Sequence, residues 1–519
     1  MKRYKKNRLF RLWGGGQNFE NFSCAVQPPA VTFARRVNLQ IDSKTQTHKT
    51  PCSMKGFLVL FIALLALVAH SCKDNAPTTP TPEQPAPPQP VQTAFLSVVD
   101  SACIEAWLKL VIPDTISERR YRLLLNDSLI WQATLTKPDT LMLIGGGYLG
   151  STLFRLSPST TYRVRFERLT SDTFNINVDE KTFRTLDTTS QDYTWQYLRF
   201  GEAGASYFRD VCIINDSCIW AVGRIDNGEV DSLGVPIVYN AVHYDGHQWH
   251  LSRLLFPMLS GNDTVLIPFE AYSVFGFSHN DIWFSSGGTY LHWNGQQYEK
   301  YVFQFGSGLF GSMKMWGNRS NNLFGVNGNG VIMHYDGTVW RRMQSGTTAD
   351  LMDIYGTPDG KSVWVAGYTD IPTQSCLLSL ENGQWRTVWQ RGESSMYQYV
   401  QALWTSGSSE FVVLGSGGLA YFHSRLMPNF LPYVRLQGYV SSGYHQSVRG
   451  SARNNIACGG QGGRIAHFNG IRWKRRFDEV YHPDRRVYAI DVSDKLIVAV
   501  GGSYEPTLHG AMVLMGRKP

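Results

Sequence analysis

Internal repetition from residue 188 onward constrains this chain more than any other feature of its sequence. A short apolar pattern closing on glycine reads Cys218-Ile219-Trp220-Ala221-Val222-Gly223. It returns at Asp281–Gly287, Asn322–Gly325, Ser362–Gly367, Phe411–Gly415, Asn455–Gly459 and Leu496–Gly501, making seven copies. A second pattern follows several of them: His243-Tyr244-Asp245-Gly246-x-x-Trp249, with relatives at His292–Tyr298, His334–Trp340, Glu381–Trp385 and His467–Trp473. Its terminal aromatics, at 249, 298, 340 and 385, lie 49, 42 and 45 residues apart, and the next lies 88 further on. The last gap holds two repeats, one of them degenerate near 421–434. Aromatic strands joined by Asp-Gly or Asn-Gly turns at this period describe units of four short antiparallel strands. Each unit is too small to bury its own faces, so the units must stack.

The seventh repeat ends at Gly510–Met515, its third strand, with no Trp-bearing fourth strand after it. An orphan of that type, Tyr193-Thr194-Trp195-Gln196-Tyr197-Leu198, precedes the first repeat. It is expected to complete the last unit and so remove an open sheet edge. Together the repeats resemble the β-propellers of secreted bacterial proteins with V-x-G, DIWAVG and HYDG-x-W signatures. The resemblance implies a seven-bladed β-propeller over 188–519 and says little of function, because propellers host binders and enzymes alike.

Residues 93–187 alternate in the strand manner, with Ile104, Ala106, Leu108 and Leu110 on one face and Tyr121, Leu123 and Leu125 on another. Leu156-Ser157-Pro158-Ser159-Thr160-Thr161-Tyr162-Arg163-Val164 resembles the L-x-P-x-T-x-Y-x-V signature of fibronectin type III modules. The resemblance implies a small β-sandwich in which Tyr162 makes a corner hydrogen bond. Trp107 is a candidate for the strand-B core tryptophan, although it shares a face with Glu105 and Lys109. Such modules act as spacers or adhesive units. The chain is thus expected to be all-β: a fibronectin-III-like sandwich followed by a propeller.

The net charge of +8 is confined to residues 1–53, which hold ten Lys/Arg and two Asp/Glu; the other 466 residues hold 39 of each. That balance argues against nucleic acid as a partner. Met54-Lys55 opens a second amino-terminal pattern, in which the apolar run Phe57–Ala69 has signal-peptide length. Ala69-His70-Ser71-Cys72 resembles the bacterial lipobox, which implies lipidation of Cys72 and a membrane anchor. Residues 54–71 are therefore read as a lipoprotein signal peptide, and residues 1–53 as a mis-called extension. The Pro/Thr/Gln-rich stretch 72–92 is read as an extended linker. Location in the cell envelope follows, at the outer membrane and facing the periplasm or the surface.

Among cysteines, Cys212 and Cys218 flank a turn and are a candidate disulfide, or else two small core residues. His243, His292, His334 and His467 share a register but fall in different repeats, so they read as repeated structural hydrogen bonds rather than a metal site. Phe275, Trp316, Tyr355, Trp404 and Arg449 lie on the innermost strands beside the recurring glycines. They are candidates for an aromatic, ligand-binding ring with a cation at one channel mouth, or for packing between blades. Long loops at 225–238, 256–268 and 425–440 are further candidates, the first two carrying Asp226, Glu229, Asp231 and Asp263. No P-loop, Gly-x-Ser-x-Gly or His-Glu-x-x-His motif occurs, and no cofactor is implied. The expected role is a non-enzymatic binding or scaffold protein that presents one face to a protein or glycan. The alternative is a carbohydrate-active hydrolase or lyase using the channel mouth, which needs two converging carboxylates.

Overall fold

The computed structural model describes residues 94–519, apart from 113–118, 137–138, 146, 150–151, 172–173, 203–205, 261–262, 287, 303–312, 371–372, 392–399, 407–410, 417–418, 425–444, 477–481 and 506–508. Cys72, the segments before it and the 425–440 loop lie outside the described residues. Every described element is a strand, and the sheets are small and antiparallel.

Two larger sheets come first, besides a short pairing of Gly147–Leu149 with Thr152–Phe154. One orders Phe95–Ser101, Glu105–Val111 and Asp139–Gly145; the other orders Ser128–Leu135, Arg119–Leu125, Thr161–Ser171 and Phe174–Arg184. Alternation sends Ala106, Leu108 and Leu110 to meet Tyr121, Leu123, Val164 and Phe166 in one core. The Tyr162 hydroxyl accepts a 2.7 Å bond from the Ser157 amide, pinning the turn before its own strand. Trp107 is buried but takes no part in that core, because strand alternation puts it on the opposite face with Glu105. The expectation of a core tryptophan there is corrected on that ground.

That opposite face docks onto a turn far along the chain. Arg453, 4% exposed, pairs with Asp100 at 2.5 Å and Glu105 at 3.1 Å. Cys103 packs against Gly470, where any β-carbon would strike the sulfur. The Asn454 side-chain amide donates to the Asp187 carbonyl at 2.8 Å. The first module is therefore fastened to its neighbour rather than strung beside it.

Seven further sheets of three or four strands follow among the described residues, besides a two-stranded pairing of Phe256–Ser260 with Asp263–Ile267. Their second strands are Cys218–Val230, Asp281–Ser286, Asn322–Val326, Val363–Asp370, Phe411–Ser416, Asn455–Gly460 and Leu496–Ser503, the seven copies of the apolar pattern. The first strands are Tyr207–Asn215, Ser273–Ser278, Lys314–Arg319, Asp350–Gly356, Val400–Trp404, His445–Ala452 and Arg485–Val492. Each first strand touches the first strand of the next sheet, and that of the seventh sheet touches that of the first. The segment Thr194–Phe200 pairs in unbroken register with Gly510–Arg517 and supplies the fourth strand of the seventh sheet.

The terminal glycine of the apolar pattern has a steric cause. The first strands bulge between Phe208 and Asp210, Leu351 and Asp353, and Val487 and Ala489. Beside each bulge a backbone carbonyl (Tyr207, Asp350, Arg486) occupies the space a β-carbon would need on Gly223, Gly367 or Gly501. The obstacle is backbone and cannot rotate away. Gly501→Ala is expected to lower unfolding free energy by about 3 kcal/mol or more in urea titrations.

Candidate functional site

Strand register places one residue of every first strand opposite the third residue of the apolar pattern. These seven are Cys212, Phe275, Trp316, Tyr355, Trp404, Arg449 and Asp491. Five are the expected ligand-binding residues; Asp491 is the one missed, although the repeat alignment of Ala489-Ile490-Asp491 with Ser447-Val448-Arg449 carries the signal. Trp316 and Trp404 are 3% and 2% exposed. Trp316 lies over Gly356, and Trp404 over Gly450, the glycine of the next sheet in each case. Phe275 packs against Phe277 with ring centres 5.2 Å apart. Trp316 and Trp404 therefore pack into seams between sheets, while Phe275 and Tyr355 are half-buried.

Arg449 is equally committed. Its guanidinium makes a bidentate pair with Asp353, both contacts 2.8 Å, and donates to the carbonyls of Leu403 at 2.9 Å and Val448 at 2.8 Å. It also lies 5.1 Å from the Tyr355 ring centre. One side chain thus joins the first strands of the fourth, fifth and sixth sheets.

Three carboxylates share a further task. Asp210 accepts from the Val274 amide at 3.1 Å, Asp353 from the Leu403 amide at 2.9 Å, and Asp491 from the Ile213 amide at 2.7 Å. Each fastens its own first strand to the next one. Asp210 is also paired with Lys314 and accepts from the Ser273 hydroxyl at 2.8 Å. Asp210 and Asp353 are thus occupied by cations and amides.

Asp491 has no such bidentate partner, and burial pushes its pKa up to about 6, with Arg449 only partly opposing this. The folded state then holds the proton more tightly than the unfolded chain, whose carboxyl titrates near 3.8. That contribution is full below the unfolded value and is lost as pH rises through about 6. Asp491→Asn cannot ionise and is expected to escape this loss. Relative to the parent it should gain on the order of 2–3 kcal/mol between pH 4.5 and pH 8, measured by denaturant unfolding at both.

The histidines act as repeated braces. His292 Nε2 contacts Asp281 at 2.8 Å, while His334 and His467 contact Asn322 and Asn455 at the same distance. Each partner is the first residue of the apolar pattern. The rings of His292 and His334 also stack on Trp283 and Phe324, with centres 4.0 Å and 4.4 Å apart. In the first sheet the partner position holds Cys218, whose sulfur sits 3.7 Å from His243 Nε2. Cys218→Asn is expected to restore the shared bond and raise stability by about 1 kcal/mol, read as a shift in the urea midpoint.

Of the two readings of Cys212 and Cys218, the structure has the buried pair without a disulfide: both thiols are free. The register pairs Cys218 with Asn215 and Cys212 with Trp220, so the two cysteines do not face one another. Among the described residues no group of three or more His, Cys, Asp or Glu could hold a metal ion. The acidic loop residues cap turns instead: Asp226 accepts the Gly228 amide at 2.9 Å, and Asp231 accepts the Leu233 and Val235 amides at 2.8 Å and 2.9 Å.

Those loops are nonetheless distinctive. The second and third strands of the first sheet run on into a hairpin around residue 233, and Phe256–Ser260 pairs with Asp263–Ile267 as a separate two-stranded hairpin. Buried Asn240 ties the base of the second hairpin to the first, bonding Leu254 and Phe269 through contacts of 2.7–2.8 Å. Val230, Leu233, Val235, Leu251, Leu255, Leu259, Val265, Leu266 and Phe269 are all exposed. They make up nine of the 18 exposed large apolar side chains among the described residues, within a span of 40 residues.

No protein-family model matches the chain, and no curated protein matches it. Solved structures do. "YCF48 bound to D1 peptide" is 16% identical with a TM-score of 0.44, covering 64% of this chain and 100% of its own. YCF48 from Cyanidioschyzon merolae is 12% identical with a TM-score of 0.40, covering 62% and 98%. A chain of a mitotic checkpoint complex is 11% identical with a TM-score of 0.43, covering 62% and 93%.

Proposed function

We propose that this chain is a lipid-anchored, extracytoplasmic binding or scaffold protein, built as a fibronectin-III-like module on a seven-bladed β-propeller. The cyclic contacts of the seven first strands and the Thr194–Phe200 pairing support the propeller reading. The three-plus-four strand order and the Tyr162 corner bond support the module. Anchoring rests on the sequence around Cys72 alone.

The function is non-catalytic contact with a protein partner through the two hairpins of the first blade. The concentration of exposed apolar side chains between residues 230 and 269 carries this reading, since isolated soluble proteins seldom hold such a patch without use for it. Photo-crosslinking residues placed at Leu233 and Leu266 of the full chain, in its native envelope, test it. A discrete adduct at these sites, absent at exposed Val339 and Ile471, is expected. Equal labelling at all four sites would remove the docking role. Palmitate labelling lost in Cys72→Ser tests the anchor separately.

A further inference from the structure

A second surface stands apart from the hairpins and is built of tyrosines. Tyr272, Tyr207, Tyr488 and Tyr504 lie along the ends of the second, first and seventh sheets. The Arg209 guanidinium bridges Tyr272 and Tyr207, 5.3 Å and 4.9 Å from their ring centres. Tyr207 and Tyr488 have ring centres 6.3 Å apart, and the Tyr488 and Tyr504 hydroxyls are 2.8 Å apart. Gly502 lies beneath the gap between Tyr207 and Tyr504, where a β-carbon would crowd both. The four rings form one continuous row.

None of the four rings belongs to an apolar core. Two row members, Arg209 and Tyr488, sit at strand bulges, which turn side chains out of the sheet's alternation. Tyr504 is 42% exposed and the other three rings are half-buried, so each keeps part of its surface toward solvent. Charges along the row are paired except at exposed Arg486, whose guanidinium lies 5.9 Å from the Tyr504 ring centre. Arg209 pairs with Glu270 at 2.5 Å, Glu270 also accepts from the Tyr207 hydroxyl at 2.9 Å, and Arg485 pairs with Glu505 at 2.5 Å. These bonds hold the rings before any ligand arrives, which lowers the ordering cost of binding.

A row of fixed aromatic faces edged by hydroxyls and neutralised ion pairs suits a ligand with apolar C–H faces, many hydroxyls and no net charge. We propose that this row binds a neutral polysaccharide chain laid across three adjacent sheets. The site is separate from the hairpins and does not depend on them.

Affinity electrophoresis of the full chain in gels containing laminarin, xyloglucan, galactomannan, xylan or pullulan tests the proposal. Retardation by at least one polymer is expected, weakened at least tenfold in Tyr488→Ala and in Tyr207→Ala. Val339→Ser, at an exposed position outside both surfaces, should bind as the parent does. Unchanged circular dichroism and melting temperature will show that the tyrosine variants fold; if Tyr207→Ala does not, Tyr488→Phe and Tyr504→Ala replace it. Retardation by none of the five, retardation indifferent to the tyrosines, or binding only to alginate with loss at high salt would each overturn it. Hairpin crosslinking that persists in Tyr488→Ala would show that failure here leaves the protein-docking reading intact.

Discussion

A chain stopped after His509 will not reach a cooperatively folded state. The ten residues removed include Ala511, Met512, Val513, Leu514 and Met515, all buried. They form the central partner of both Leu496–Ser503 and Thr194–Phe200. Burial of four large apolar side chains contributes roughly 1.5–3 kcal/mol each, so about 6–12 kcal/mol disappears. Two ladders of backbone hydrogen bonds go with it. Whole-domain stabilities are of the order of 5–15 kcal/mol, so little remains. Far-ultraviolet circular dichroism should show no sharp melt, and size exclusion should show aggregates from the two bared edges. A sharp parental melt in the truncated chain would mean that the last sheet is dispensable.

Arg449→Met is expected to destabilise the protein by about 3–5 kcal/mol, because it strands the Asp353 carboxylate in a buried site. Asp353 is 2% exposed and keeps only the amides of Ile354 and Leu403. Adding Asp353→Leu should recover much of the loss, since removing both charges leaves no unpaired ion. Urea titrations of the two single variants and the double variant form the cycle. Additive losses would indicate that Arg449 acts through its packing over Tyr355 rather than through the pair.

What the sequence disclosed was whatever repeats locally. The Cys218–Gly223 pattern and its six relatives fall on second strands because they are rich in β-branched or aromatic residues, and at Gly223, Gly367 and Gly501 the neighbouring bulge demands the glycine. The orphan strand around Trp195 was legible because its partner position was vacant at the other end of the chain. The histidine braces were legible as repetition, though their Asx partners lie 11–12 residues earlier across a strand pair. Contacts that cross sheets were hidden. Arg449 meets Asp353 across 96 residues, and nothing local marks either as the other's partner. Arg453 meets Asp100 across 353 residues, so the docking of the first module could not be read from either segment. The cysteines stay apart because the turn closes on Asn215 and Cys218, which leaves Cys212 opposite Trp220 further along the strand pair. Side-chain direction decided the inner aromatics: strand position was correct, but Trp316 and Trp404 turn into the seams between sheets.

The pairing of Thr194 with Arg517 also orders events in time. During synthesis the early segment emerges hundreds of residues before the strand it needs, and closing so long a loop is slow as well as non-local. Until then a nearly finished array waits with an unsatisfied margin at each end. Its vulnerable period therefore lasts until the carboxyl-terminal strand has been made, and a factor that shields exposed strands in that interval should raise the yield of native protein without altering its final stability.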